Sequence, residues 1–261
     1  MHNFRMRRGC MTIHSAFRSL STVLLFILTL IPRPAAAQAP APPPPPPPHE
    51  GSAEFAYVGT SGNASTRTVG LGGELIERPG PWELSAKLAY VRNDSESELK
   101  AESVALSTKA ARALNPRTSV FGRYTYLHDR FAGIESRNAL EGGLAYVLAD
   151  VAPHKLVVDA ALGYAHESRV TGPRLSTATA NFGALYTWKL SDTAEVKDEG
   201  RFVFSLSDGD DWRFGNTASL NAKLTTLLSL KLSNAIRFVN APVPGFKQTD
   251  TTTAVALVAK F

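Results

Sequence analysis

The sequence has one cysteine, Cys10, and none in the 251 positions that follow. A lone thiol forms no internal disulfide and no thiolate zinc site. Long apolar runs are also missing. The main one, Leu20 to Ile31, is shorter than the about 18 residues that carry a helix across a bilayer. Excess charge of one sign is missing too, once its location is considered. The chain has 28 basic and 23 acidic residues, but residues 1–37 hold Arg5, Arg7, Arg8, Arg18 and Arg33 and no acid. Removing those five leaves 23 bases against 23 acids, so the high pI belongs to the leading segment and argues for no nucleic-acid surface. Neither zinc-ligand spacing nor a phosphate loop occurs. Gly70-Leu71-Gly72-Gly73 sits inside an alternating stretch, not ahead of a helix. No metal site and no cofactor is expected.

The basic start, the apolar stretch and Ala35-Ala36-Ala37 together read as a secretory signal peptide over residues 1–37, with a membrane anchor as the alternative. Cys10 precedes the apolar stretch, which excludes a lipoprotein anchor at that site. Residues 38–50 include an unbroken Pro42–Pro48 run. This run is extended and cannot build a core, so a periplasmic linker is expected. Residues 51–261 carry no second linker and form one domain.

Within that domain the dominant period is two. Trp82, Leu84, Ala86, Leu88 and Tyr90 alternate with Glu83, Ser85, Lys87 and Ala89; Leu230, Leu232, Ile236 and Phe238 alternate with Ser229, Lys231, Ser233 and Arg237. Such segments are half-apolar strands. Short turns at 78–81, 114–117, 150–154, 190–194 and 225–229 take turns with loops at 59–63, 93–98, 130–135, 168–173, 207–211 and 241–247. These eleven connections imply about twelve strands, near 51–59, 64–77, 82–92, 98–113, 118–129, 136–148, 154–167, 174–190, 195–207, 212–224, 229–240 and 248–261. The expected fold class is all-β, an antiparallel up-and-down transmembrane barrel.

Three features separate this from a soluble sandwich. The strands are long enough to cross hydrocarbon. Aromatics crowd the apolar face near strand ends: Tyr57, Trp82, Tyr90, Tyr124, Tyr126, Tyr146, Tyr164, Tyr186, Trp188 and Trp212. The opposite face carries charges of both signs, which a dry core rejects and a lumen tolerates. At the C-terminus Val255, Leu257, Ala259 and Phe261 share one face, a pattern similar to the signal read by the outer-membrane barrel assembly machinery.

Tyr57-Val58-Gly59-Thr60-Ser61-Gly62-Asn63, Gly72-Gly73-Glu74-Leu75, Tyr124 to Ile134 and Glu141-Gly142-Gly143-Leu144 resemble the YdiY-type salt-induced outer-membrane protein family, a domain of unknown function. The resemblance spans Gly51 to Phe261. It implies an outer-membrane location and a link to salt stress, and it implies no activity.

Alternation points Glu54, Glu74, Glu83, Glu141, Asp159, Glu195 and Glu199 inward. It does the same for Lys87, Lys109, Arg123, Arg137, Lys155, Lys189, Lys197, Arg201, Arg213, Lys223, Lys231 and Arg237. Arg123, Glu141, Asp159 and Arg201 are the candidates for a charged constriction; the competing reading is a set of salt bridges filling a narrow barrel. The function expected is a narrow pore for small solutes or ions, or a structural, stress-responsive barrel. An alternative from another class is a phospholipase-like enzyme with His128, His166, Ser136 and Asn138 on the lipid side. Asp208-Gly209-Asp210-Asp211 is read as a polar loop in preference to a calcium site. Expected partners are outer-membrane lipids, lipopolysaccharide and the assembly machinery, with no nucleic acid, for a monomeric barrel.

Overall fold

Alternating segments become strands β1 (His49–Thr60), β2 (Thr66–Glu77), β3 (Trp82–Ser95), β4 (Glu98–Asn115), β5 (Thr118–Asp129), β6 (Ile134–Val151), β7 (His154–Arg169), β8 (Leu175–Lys189), β9 (Ala194–Ser205), β10 (Trp212–Lys223), β11 (Leu228–Val239) and β12 (Thr249–Lys260). The computed structural model describes residues 46–60, 66–95 and 98–261. The expected signal peptide and most of the expected linker lie outside the described residues.

Each strand pairs antiparallel with its chain neighbours, and β1 pairs with β12 to close the ring. Closure is completed by a reciprocal backbone pair, Gly51 N to Phe261 O at 2.8 Å and Phe261 N to Gly51 O at 3.0 Å. The seam registers Ser52–Lys260 through Phe55–Leu257 and makes the sheet a closed barrel, the form a β-structure takes in lipid. Both ends of the barrel chain lie at the rim carrying the short turns, called the turn end here. The opposite rim, carrying the loops after odd-numbered strands, is the loop end.

Strands of 12 to 18 residues exceed the about 9–11 that span a bilayer. Outward positions are apolar and exposed: Phe55, Leu75, Leu88, Leu140, Leu144, Leu162, Phe182, Leu232 and Leu257. A water-soluble protein does not present such a surface, and a lipid-facing barrel must. The chain is thus a transmembrane barrel of the outer-membrane type. All ten aromatics expected on the apolar face share it, by register with these exposed residues.

Strand limits differ from the sequence reading where bulges intervene. β6 starts at Ile134, two residues earlier than expected, and pairing slips between Ile134 and Ser136. A bulge re-aims the side chains beyond it. Ile134 therefore turns inward and is buried, although its even number would place it on the outer face.

Candidate functional site

Arg123 and Glu141 are direct cross-strand partners on β5 and β6, and Arg201 is the partner of Gly183 on β8. All three side chains enter the lumen. Arg123 Nη1 lies 3.0 Å from Glu141 Oε1, and Arg201 Nη2 donates to the same oxygen. Asp159 on β7 completes the group, 3.9 Å from Arg123 and 3.6 Å from Arg201. The structure brings these four together into a neutral quartet. Glu141 is buried, and Asp159 Oδ1 is buried without a hydrogen bond of its own. Two glycines make the room. A Cβ on Gly163 would sit 2.8 Å from that of Glu141, and one on Gly183 would overlap the Asp159 carboxylate.

Beside the quartet, Phe121 points inward and forms a small apolar cluster with Ala111, Ala145 and Ala161. Lys109 Nζ stands 4.6 Å from its ring centre and the Arg123 guanidinium 5.0 Å, so the aromatic face holds two cations next to the acids. Across the lumen, Lys87 on β3 meets Glu74 at 3.3 Å and Glu199 on β9 at 4.0 Å. Lys231 Nζ reaches Glu54 at 2.8 Å. Lys87 and Glu199 are each more than half exposed, so water reaches this depth from the turn end.

A second tier lies near the loop end. Glu167 is almost fully buried and accepts from Arg137 (2.8 Å), Arg169 (2.6 Å) and Arg213 (2.7 Å). Arg213 also contacts Asp211 at 3.3 Å. Arg237 on β11 donates to the buried Asp129 on β5. Residues 240–248, joining β11 to β12, fold over this tier. Val243 is 3 % exposed, and the Phe246 ring lies over Gly133, whose φ of 70° suits only a residue without a side chain. Asn240 Nδ2 donates to Asp210 O at 2.9 Å, and Thr171 Oγ1 to Pro244 O at 3.4 Å, tying this loop to its neighbours. The residual cavity here is about 10 Å³, room for roughly one water. A loop of nine residues thus packs onto the loop-end tier.

Sequence reasoning missed Asp129, Glu167, Arg169, Ile134, Val243 and Phe246. The first three keep the inward parity of their strands, but they stand at strand ends, where the alternation in the sequence gives way to loop residues. Ile134, Val243 and Phe246 leave no periodic signal.

On the outer face, His128 Nδ1 pairs with the backbone oxygen of Glu135 at 2.6 Å and not with the Ser136 hydroxyl, and Ser136 is the strand partner of Ser168 on β7. Asn138 Oδ1 accepts from Tyr124 OH at 2.7 Å, and His166 Nδ1 meets Ser176 Oγ at 2.7 Å. Asp208 Oδ1 caps Asp210 N at 3.0 Å, a turn interaction, and no metal-holding acid or histidine group occurs among the described residues. Val255 and Leu257 are outward and exposed at the closing strand, and Phe261 covers Gly51.

The chain belongs to the family described as "Protein of unknown function, DUF481", whose model matches residues 53–261. No curated protein matches it. Among solved structures it is similar to the translocator domain of autotransporter NalP from Neisseria meningitidis (13 % identity, 95 % of this chain and 96 % of that chain, TM-score 0.48). It is similar to the NanC porin (10 % identity, 81 % and 97 %, TM-score 0.46) and to an anion-selective porin from Comamonas acidovorans (11 % identity, 82 % and 98 %, TM-score 0.40). The barrel itself is read from the strand pairing above, independently of these neighbours.

Proposed function

We propose that this DUF481 member resides in the outer membrane of a Gram-negative envelope and forms a narrow, ion-pair-gated passage for ions and small solutes. The supporting observation is the asymmetry of the lumen. Its turn-end half is lined by water-exposed charges of both signs, including Glu74, Lys87, Lys197 and Glu199. Its loop-end half carries Asp129, Glu167, Ile134 and Val243, all buried. A mixed lining implies weak ion selectivity. The quartet of Arg123, Glu141, Asp159 and Arg201 lines one wall of this passage, and the Lys87–Glu199 contact spans it.

The segment 1–37 acts as the export signal, and Val255, Leu257 and Phe261 present the closing strand to the assembly machinery. The surrounding partners are lipid and lipopolysaccharide. The resemblance to YdiY-type proteins adds a salt response, for which exposed lumen pairs offer a physical route, since salt screens them more than buried ones. A closed structural barrel is the second reading, favoured by the Lys87–Glu199 contact across the lumen. Catalysis is not part of either.

Single-channel conductance across planar bilayers over a salt series tests the passage. Discrete steps that grow with salt support it. Silence from protein shown to be folded and inserted overturns it in favour of the structural barrel.

A further inference from the structure

The outward face is apolar around most of the ring, but one row across β9–β12 breaks the pattern. By register Asp198 pairs with Ala218, Ala218 with Asn234 and Asn234 with Thr253, so these four lie side by side on one line. The next line toward the loop end reads Gly200, Asn216, Ile236 and Thr251. Their side chains already hydrogen-bond laterally. Asn216 Nδ2 donates to Asp198 Oδ1 at 2.9 Å, and Asn234 Nδ2 to Thr253 Oγ1 at 2.9 Å.

These groups are not at a rim. Toward the turn end the adjacent line is Val196, Leu220, Leu232 and Val255, and beyond it come Ala194, Ala222, Leu230 and Leu257. Toward the loop end stand Phe202, Phe214 and Phe238, with Thr249 on β12 at the end of their line; these rings pack with one another and with Phe204 and Trp212 at centroid distances of 4.7 to 5.4 Å. A carboxylate and two amides are therefore enclosed by apolar lines on both sides, at the depth of acyl chains. Lipid tails offer them no hydrogen bonds, and polar groups at that depth are costly unless another protein surface satisfies them. Near the middle of β3, β5 and β7 the outward residues are Leu88, Tyr124 and Leu162; of the outward polar residues on β4 and β6, Thr108 stands singly among apolar ones and Asn138 accepts from Tyr124.

We propose that this row is the interface with a second copy of the same chain. Two observations select that partner. Asparagine amides and threonine hydroxyls donate and accept alike, so a surface of Asn216, Asn234, Thr251 and Thr253 complements itself. Ala218 lies inside the row and Gly200 at its β9 end, with Phe202 and Leu220 next along their strands, so two such surfaces can approach closely there. Copies inserted in the same direction are related by a two-fold axis along the membrane normal, which sets identical patches face to face. This inference rests on the membrane placement proposed above, but not on the lumen being a passage. It departs from the monomer expected from the sequence.

The test uses the full chain carrying Cys10→Ser, expressed in a Gram-negative envelope, with one new cysteine and copper-phenanthroline oxidation in the membrane. Ala218→Cys is expected to give a disulfide-linked dimer in at least tenfold excess over Leu88→Cys, which lies on the far side. Adding Asp198→Leu, Asn216→Leu and Asn234→Leu to Ala218→Cys is expected to abolish the cross-link, while the barrel keeps its heat-modifiable gel shift. Equal cross-linking at positions 218 and 88, or a dimer that survives the three leucines, overturns the proposal. Recovery of the folded chain outside the membrane fraction would instead refute the membrane placement.

Discussion

Lys87 and Glu199 meet at 4.0 Å although β3 and β9 are six strands apart in either direction around the ring. The contact crosses the lumen, and both side chains are more than half exposed. Such a pair contributes little to stability, about 0.2–1 kcal/mol. Its effect is on the bore. Lys87→Ala or Glu199→Ala is expected to leave the unfolding midpoint in urea nearly unchanged and to raise single-channel conductance. Equal conductance in both variants and the parent would mean that the narrow point lies elsewhere.

The quartet behaves differently because it is shielded. Glu141 is buried and held by Arg123 and Arg201, with Asp159 close by. Arg201→Ala leaves a buried carboxylate with one cation and sets two acids against it. Breaking a buried pair in this way costs about 3–5 kcal/mol. Glu141→Gln, which keeps the shape and removes the charge, is expected to cost less. Urea unfolding of the refolded barrel measures both. Arg123→Ala and Arg201→Ala should also lower anion preference in reversal-potential measurements. A set of salt bridges that only fills the barrel would show the stability loss without the change in preference.

How far the sequence could be read follows from where its signal is periodic. Strand number, pairing order and inward parity all derive from the two-residue period. That period is strong between Trp82 and Tyr90 or Leu230 and Phe238, because one side of each strand meets lipid. The inward set followed from the same parity. What parity cannot supply is reach. That Arg201 on β9 finds Glu141 on β6, or that Arg237 finds Asp129 across the ring, depends on curvature and side-chain length. The loop-end packing was illegible for another reason. Val243 and Phe246 sit among prolines and glycine in a stretch that reads as an ordinary polar connection, and only the loop-end tier they pack onto gives them a role.

The glycines of the lumen wall should separate into two classes. A Cβ at Gly183 would occupy the position of the Asp159 carboxylate, whereas one at Gly215, also on the lumen side, meets nothing within 4 Å. Gly183→Ala is expected to destabilise by about 1–3 kcal/mol, as overpacking does. Gly215→Ala is expected to be neutral or slightly stabilising, since alanine loses less chain entropy in a strand. Thermal unfolding followed by gel shift distinguishes them. If Gly183→Ala were as stable as Gly215→Ala, the wall would be looser than this packing describes.

Val243 is the apolar anchor of the loop joining β11 to β12. It is almost fully buried, in a site lined by Ile134, Glu167 and Asp250. Val243→Asp would place a third carboxylate among these groups and remove apolar contact with Ile134. Desolvation and like-charge repulsion act together; of the cations lining the site, Arg169 and Arg213 are already engaged by Glu167, and Lys247 is exposed on the loop itself. The loop is therefore expected to leave the mouth while the twelve paired strands, which do not depend on it, persist. Two readouts follow from that displacement. Lys247 should become a site of rapid trypsin cleavage from the loop end, and conductance steps should become larger or longer-lived. Val170→Asp, at a position already exposed on a neighbouring loop, controls for added charge and should change neither. If Val243→Asp stays resistant to trypsin and silent, the loop is a fixed part of the wall and the passage does not open there.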